Sequence, residues 1–269
     1  MQRISVIGNI SRDQTRYPDG HGNDQLGGAA LHVARAAIRA GARATPVSVI
    51  GGDLRSLPHH PALSGVDWTA LRVTTGPSAR FVMHYDERGR LLNLKAAYGA
   101  SSQLTDHAVD HITRHPRDLY HVCCRRPLNV PQVLKLLTDS DIGFSVDFFL
   151  SSADELIGEA APWLPHASWI FANAREYALL DSVFDASVLG GIVVTDGPRP
   201  VRLISRGSQV AEATPPATAP VEVTGAGDTL TGTYLARIAC GNGMSAALEA
   251  AVDAASRHTT APPLMLHRN

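Results

Sequence analysis

Short apolar runs alternate along this chain with longer segments in which apolar residues recur every three or four positions. Residues 4–8, 46–50, 119–123, 143–146, 169–171 and 192–195 read as buried strands. The segments 29–40, 105–114, 130–137, 153–159, 175–180, 227–239 and 245–257 carry the helical spacing. Strands of this length separated by helices predict an α/β fold, one domain over 1–269, with a mostly parallel central sheet flanked by helices. The rhythm breaks between 67 and 95. There the segments 68–73, 79–85 and 90–94 read as strands, the last two joined by a hairpin turn at Asp86-Glu87-Arg88-Gly89. They predict a small β lid inserted in the main domain, with parts of 10–26 contributing. An edge extension of the main sheet is the competing reading.

Composition narrows the class of protein. The 269 residues are 44% hydrophobic with a formal net charge of −1, ordinary for a globular enzyme and unlike an electrostatically driven nucleic-acid binder. No run of about 18 uncharged apolar residues predicts a membrane span. The first residues read directly as a strand, without a signal-peptide pattern, so a cytoplasmic location is expected. The three cysteines, Cys123, Cys124 and Cys240, have neither a disulfide framework nor metal-ligand spacing, and the adjacent pair reads as core. The only lysines are Lys95 and Lys135, and neither follows a Gly-rich loop, which excludes a Walker A motif. The Gly-x-Gly-x-x-Gly of a dinucleotide-binding turn is absent after Gly8. His107, His111 and His115 repeat every four residues, but the acidic and basic neighbours Asp106, Asp110 and Arg114 read as a solvated helix face, not a zinc site.

The chemistry concentrates in Val221-Glu222-Val223-Thr224-Gly225-Ala226-Gly227-Asp228, a strand running into a Gly-rich turn and an apolar helix. Gly225, Ala226 and Gly227 would offer backbone N–H groups to an anion at the positive end of that helix. Asp228 stands one step further into the turn, where a carboxylate makes sense as the base that takes a proton from an attacking hydroxyl. An anion hole beside a base reads as phosphoryl transfer to an alcohol.

This segment resembles the C-terminal signature of the ribokinase-like (PfkB) carbohydrate and nucleoside kinases, roughly D-T-x-G-A-G-D-x-F-x-G. Glu222 replaces its leading Asp and Leu230 its aromatic residue. Other segments resemble the family in order. Gly27-Gly28 followed by His32 is similar to G-G-x-x-x-N-x-A, with His32 where the family has Asn, and Asp13 lies at the offset of the family's acceptor-binding Asp. A surface ion pair with Arg12 or Arg16 is the alternative for Asp13. Gly51-Gly52-Asp53 reads mainly as a turn. Asn173-Ala174-Arg175-Glu176 is similar to N-x-x-E, which organises the water shell of Mg²⁺ in the family but is also an ordinary helix capping box. Thr195-Asp196-Gly197 resembles the nucleotide turn, with Pro200 in place of its second glycine.

The resemblance implies ATP-dependent phosphorylation of a hydroxyl on a small sugar or nucleoside, with ATP and Mg²⁺ as cofactors. Asp228 would be the base, and Gly225, Ala226 and Gly227 the anion hole. Asp13, Gly27, Gly28 and His32 would hold the acceptor. Asn173, Thr195, Gly197 and Thr224 would bind ATP, and Glu176 would bind Mg²⁺ through water. No lid aromatic shows base-stacking spacing, which favours a sugar. Relatives that respond to potassium use the signature's leading Asp, so with Glu222 a monovalent-cation requirement stays open. A homodimer through the lid is a further expectation, and no nucleic-acid or membrane partner is expected. The departures at His32, Pro200 and Glu222 leave one alternative, a catalytically weak sugar- or nucleotide-binding protein that keeps the fold.

Overall fold

A computed structural model describes residues 2–87, 91–149, 152–219 and 221–266. Its centre is a nine-stranded sheet. In chain order the strands are β1 (Ile4–Ile7), β4 (Ala44–Gly51), β5 (Leu71–Thr74), β8 (Leu119–Cys124), β9 (Phe144–Phe148), β10 (Trp169–Asn173), β11 (Gly191–Asp196), β12 (Arg199–Ser205) and β13 (Ser208–Ala213). Across the sheet they run β13-β12-β11-β10-β9-β8-β1-β4-β5. Every pair from β11 to β5 is parallel, with Ile7 opposite Val47 on one side and Val122 on the other. All residues of β1, β4 and β9 are buried, as expected of parallel strands covered on both faces.

Helices α2 (Leu104–Arg114), α3 (Val130–Asp139), α4 (Ala153–Ala160) and α5 (Ala174–Val183) contribute to one core, which includes Ile112, Leu134, Leu156 and Leu180. The remaining helices, α1 (Ala29–Arg39), α6 (Ala226–Ala239) and α7 (Met244–Thr260), cover the other clusters, built around Leu31, Val33 and Ala236 and around Tyr234, Leu248 and Val252. No helix among the described residues is long and apolar enough to cross a membrane.

A second sheet has four strands, in the order β3-β2-β6-β7, from β2 (Ser11–Arg16), β3 (Asp24–Gly27), β6 (Ala79–Tyr85) and β7 (Leu91–Ala97). This is the small β lid. β6 and β7 pair antiparallel as expected, while residues 88–90 of the expected hairpin turn lie outside the described residues. The expected lid strand at 68–73 is corrected. Its residues enter β5, which pairs parallel with β4 at the edge of the main sheet, Val73 opposite Ile50. Trp68 and Leu71 pack against the α1-side core, so their apolar surface holds this segment to the main sheet.

One element was not anticipated, and one further expectation fails. The antiparallel strands β12 and β13 were not expected, so the sheet is mixed. Their turn, Arg206-Gly207, has positive φ at both residues, the geometry that matches a hairpin's twist. The histidine face of α2 is not solvated, because His107 and His111 are buried. His107 Nε2 donates to the Ala70 carbonyl at 2.8 Å, and His111 Nε2 lies 3.1 Å from Ser5 Oγ. Burial pushes His111 down to about 4. Cys123 and Cys124 are core residues, as expected.

Candidate active site

The carboxyl ends of β1, β8, β9, β10 and β11 open into a cavity of about 930 Å³, roofed by lid residues of β2, β6 and β7. This is where open parallel sheets place their ligands. Asp13, Gly28, His32, Asn173, Glu176, Thr195, Thr224, Gly225, Gly227 and Asp228 all line it. Gly27, Gly197 and Ala226 do not. Gly197 sits in the β11–β12 turn with φ +59°.

Under the lid sheet, Asp13 is 5% exposed and accepts from Ser11 Oγ at 2.6 Å. Burial, with the charge of Asp228 adding to it, pushes its carboxyl up to about 7. The surface ion-pair alternative therefore falls, since the flanking Arg12 and Arg16 pair with Asp53 and Asp24 instead. Gly27 makes Asp13 possible, because a Cβ there would sit 1.8 Å from an Asp13 oxygen. Asp53 accepts from both the N–H and the hydroxyl of Ser78, which confirms the turn role read for Gly51-Gly52-Asp53. Burial lowers His32 to about 4, so its imidazole is neutral near pH 7.

The turn into α6 supplies donors. Gly225 is the N-cap, in the left-handed region at φ +84°, where a side chain would meet His32 and His258 within 3.2 Å. The N–H groups of Gly225, Gly227 and Asp228 make no hydrogen bond among the described residues. Ala226 differs from its expected role, because its N–H is bonded to the Val223 carbonyl at 3.2 Å. The set of unbonded N–H groups thus has Asp228 in place of the expected Ala226.

Asp228 is 9% exposed. Arg125 Nη2 donates to its Oδ1 at 2.9 Å and to Asp147 Oδ2 at 2.7 Å. Burial pulls Arg125 down, but the two carboxylates outweigh it and hold the guanidinium well above its ordinary range. Its charge rests 5.4 Å over the Phe149 ring. Sequence reasoning missed Arg125 and Asp147. Their signal was position alone, since both lie at the carboxyl ends of strands, beside the turn.

At the end of β10, Asn173 and Glu176 form the capping box of α5. Asn173 Oδ1 accepts from the Arg175 and Glu176 N–H groups, and Glu176 Oε2 accepts from Asn173 N at 2.8 Å. Burial pushes the Glu176 carboxyl up to about 7, against the hydrogen bonding of Asn173. A buried carboxylate that lines the cavity suits a hydrated hard cation. Among the described residues, His121, Cys123 and Asp147 form the one cluster with metal-ligand proximity, but its nitrogen and sulfur donors do not suit Mg²⁺.

Upstream of the turn, Glu222 is 3% exposed and accepts five hydrogen bonds. Thr224 gives two, from its N–H at 3.0 Å and its hydroxyl at 2.7 Å. Tyr17, Thr15 and Asn23, in and around β2 of the lid, give the others at 3.2–3.4 Å. His258 Nε2 donates to the Thr224 carbonyl at 2.8 Å. One buried carboxylate therefore joins the lid to the Gly-rich turn.

The family model for pfkB family carbohydrate kinases matches residues 1–262. The chain belongs to this family. Its phosphoryl-transfer chemistry, from ATP to a hydroxyl of a small sugar or nucleoside, is the coarse function of the fold. The chain is 26% identical over 252 residues to a cytidine kinase of Thermococcus kodakarensis, covering 88% of each chain. Two solved structures share the fold. One is a nucleoside kinase of Burkholderia thailandensis in complex with inosine, at 19% identity and TM-score 0.77, covering 94% of this pfkB-family chain and 90% of that one. The other is a ribokinase of Cryptococcus neoformans in complex with ADP, at 17% identity and TM-score 0.73, covering 98% and 96%.

Proposed function

We propose that this pfkB-family protein transfers the terminal phosphoryl group of ATP to a hydroxyl of a nucleoside, with Asp228 as the general base. The observation that carries the reading is the pairing, in one cavity, of Asp228 with the unpartnered N–H groups of Gly225, Gly227 and Asp228 itself. A hydroxyl placed against Asp228 Oδ2 gives up its proton as its oxygen attacks, while the N–H groups stabilise the charge on the transferring phosphoryl oxygens. Arg125 leaves Oδ2 free and fixes the orientation of the carboxylate through Oδ1. Asp13 and the backbone around Gly28 hold the acceptor, and His32 closes that end as a neutral wall. Thr195 and Thr224 face the nucleotide. Asn173 and Glu176 would hold Mg²⁺ through water, which when bound neutralises phosphate charge.

The sequence favoured a sugar because no aromatic spacing was visible in the lid. Folding brings Phe81, Tyr85 and Tyr98 to the cavity, with Phe81 and Tyr98 edge to face at 6.2 Å, and Phe149 and Phe171 line it from the main sheet. Aromatic walls on both sides support a planar base, and the cytidine kinase at 26% identity supports the same acceptor class. A thermal-shift screen of nucleosides and free sugars, with ATP and Mg²⁺ present, tests the choice. A ligand at 100 times its Kd adds about 2.7 kcal/mol of stability. Nucleosides should raise the midpoint and free sugars should not. A response to sugars alone returns the acceptor to the carbohydrate class.

A further inference from the structure

A second cavity of about 420 Å³ lies behind the anion turn, between α1, α6 and α7. Arg35 and Arg39 of α1 and Arg237 of α6 line it, and none of the three makes an ion pair or hydrogen bond among the described residues. Arg35 Nε is buried with no acceptor. Arg35 and Arg39 stand one helical turn apart, and burial together with the charge of Arg39 pushes Arg35 down to about 10. The acidic residues that line the same space are already engaged: Asp253 pairs with Arg257, and Glu222 has its five donors. The cavity is thus a concave surface with uncompensated guanidinium charge, of a size typical for small-molecule sites.

We propose that this cavity is a second binding site, for a small anion carrying a phosphate group, distinct from the phosphoryl-transfer cavity. Guanidinium forks match phosphate oxygens two at a time, and a buried Nε–H without an acceptor supplies one of the donors such an anion needs. The inner wall is formed by Thr224 and His258, joined by the bond from Nε2 to the Thr224 carbonyl. An occupant therefore rests against the back of the anion turn and bears on its position. The site stands on its own charges and does not depend on the activity of the front cavity.

Inorganic phosphate is the probe, titrated into the intact protein without ATP or acceptor, against sodium chloride at matched ionic strength. The thermal midpoint should rise with phosphate, and the Arg35→Gln/Arg39→Gln variant should weaken the apparent affinity at least about tenfold, since a lost charge-assisted bond costs that much or more. The Asp228→Asn variant should keep the response. If the double variant does not fold, Arg237→Gln, an exposed change at the rim, carries the same test. A wild type that responds no more to phosphate than to chloride overturns the proposal. So does an arginine variant that binds phosphate as the wild type does, because the anion then sits at the front turn.

Discussion

The two carboxylates on either side of the Gly-rich turn live in opposite circumstances. Glu222, before the turn, has both oxygens occupied by five protein donors drawn from the turn and the lid. Asp228, after it, has one protein donor, Arg125, and faces the cavity. Both are buried, so the difference is not exposure but saturation. A buried carboxylate whose lone pairs are all taken holds a shape. One with a lone pair left over, beside unpartnered N–H groups, is equipped to take a proton. The same turn thus separates a saturated carboxylate from the proposed base within six residues of chain.

Asp228→Asn makes the largest break in this contrast. The amide keeps the shape but cannot accept the hydroxyl proton, so kcat should fall by at least about 10². ATP binding should survive, because in this reading backbone N–H groups would hold the phosphates. Turnover and ATP titration on both proteins check it, and a kcat within threefold of wild type would contradict the base assignment. Glu222→Gln should act in the other currency. Its amide nitrogen would face donors, and leaving buried groups unmatched should lower stability by about 1–3 kcal/mol, read from denaturant unfolding. Its kcat should fall by less than that of Asp228→Asn. The smallest effect should be that of potassium. The oxygens of Glu222 and the Thr224 carbonyl are already occupied, so exchanging sodium, potassium and caesium chloride should change turnover by less than about tenfold, or under about 1.4 kcal/mol. A strict potassium requirement would show that these oxygens reorganise around a cation.

The framework was legible because parallel strands and their helices declare themselves locally, as the short, largely apolar and wholly buried β1 and β4 show. The Gly-Ala-Gly-Asp turn was legible for the same reason, since its glycines and acid are adjacent in sequence. What escaped was set by distant contacts. Residues 68–73 look like any short strand, and only the packing of Trp68 and Leu71 decides which sheet they join. His107 and His111 sit among charged neighbours, yet α2 turns them inward onto Ala70 and Ser5. Arg125 meets Asp228 across 103 positions of chain. The lid aromatics converge only when β6 and the segment after β7 fold over the cavity. The hairpin of β12 and β13 escaped because its turn places Arg206, a residue that seldom takes positive φ, where hairpins usually carry Asn, Asp or Gly.

The central claim is that the cavity performs phosphoryl transfer and does not merely bind nucleotide and acceptor. The direct measurement incubates the wild-type protein with ATP, Mg²⁺ and cytidine or another nucleoside that the screen shows to bind, and follows products by mass spectrometry. The account predicts a nucleoside monophosphate formed in step with ADP, and its loss in Asp228→Asn. Binding of both ligands without any phosphorylated product would contradict it and leave a binding protein that keeps the kinase fold.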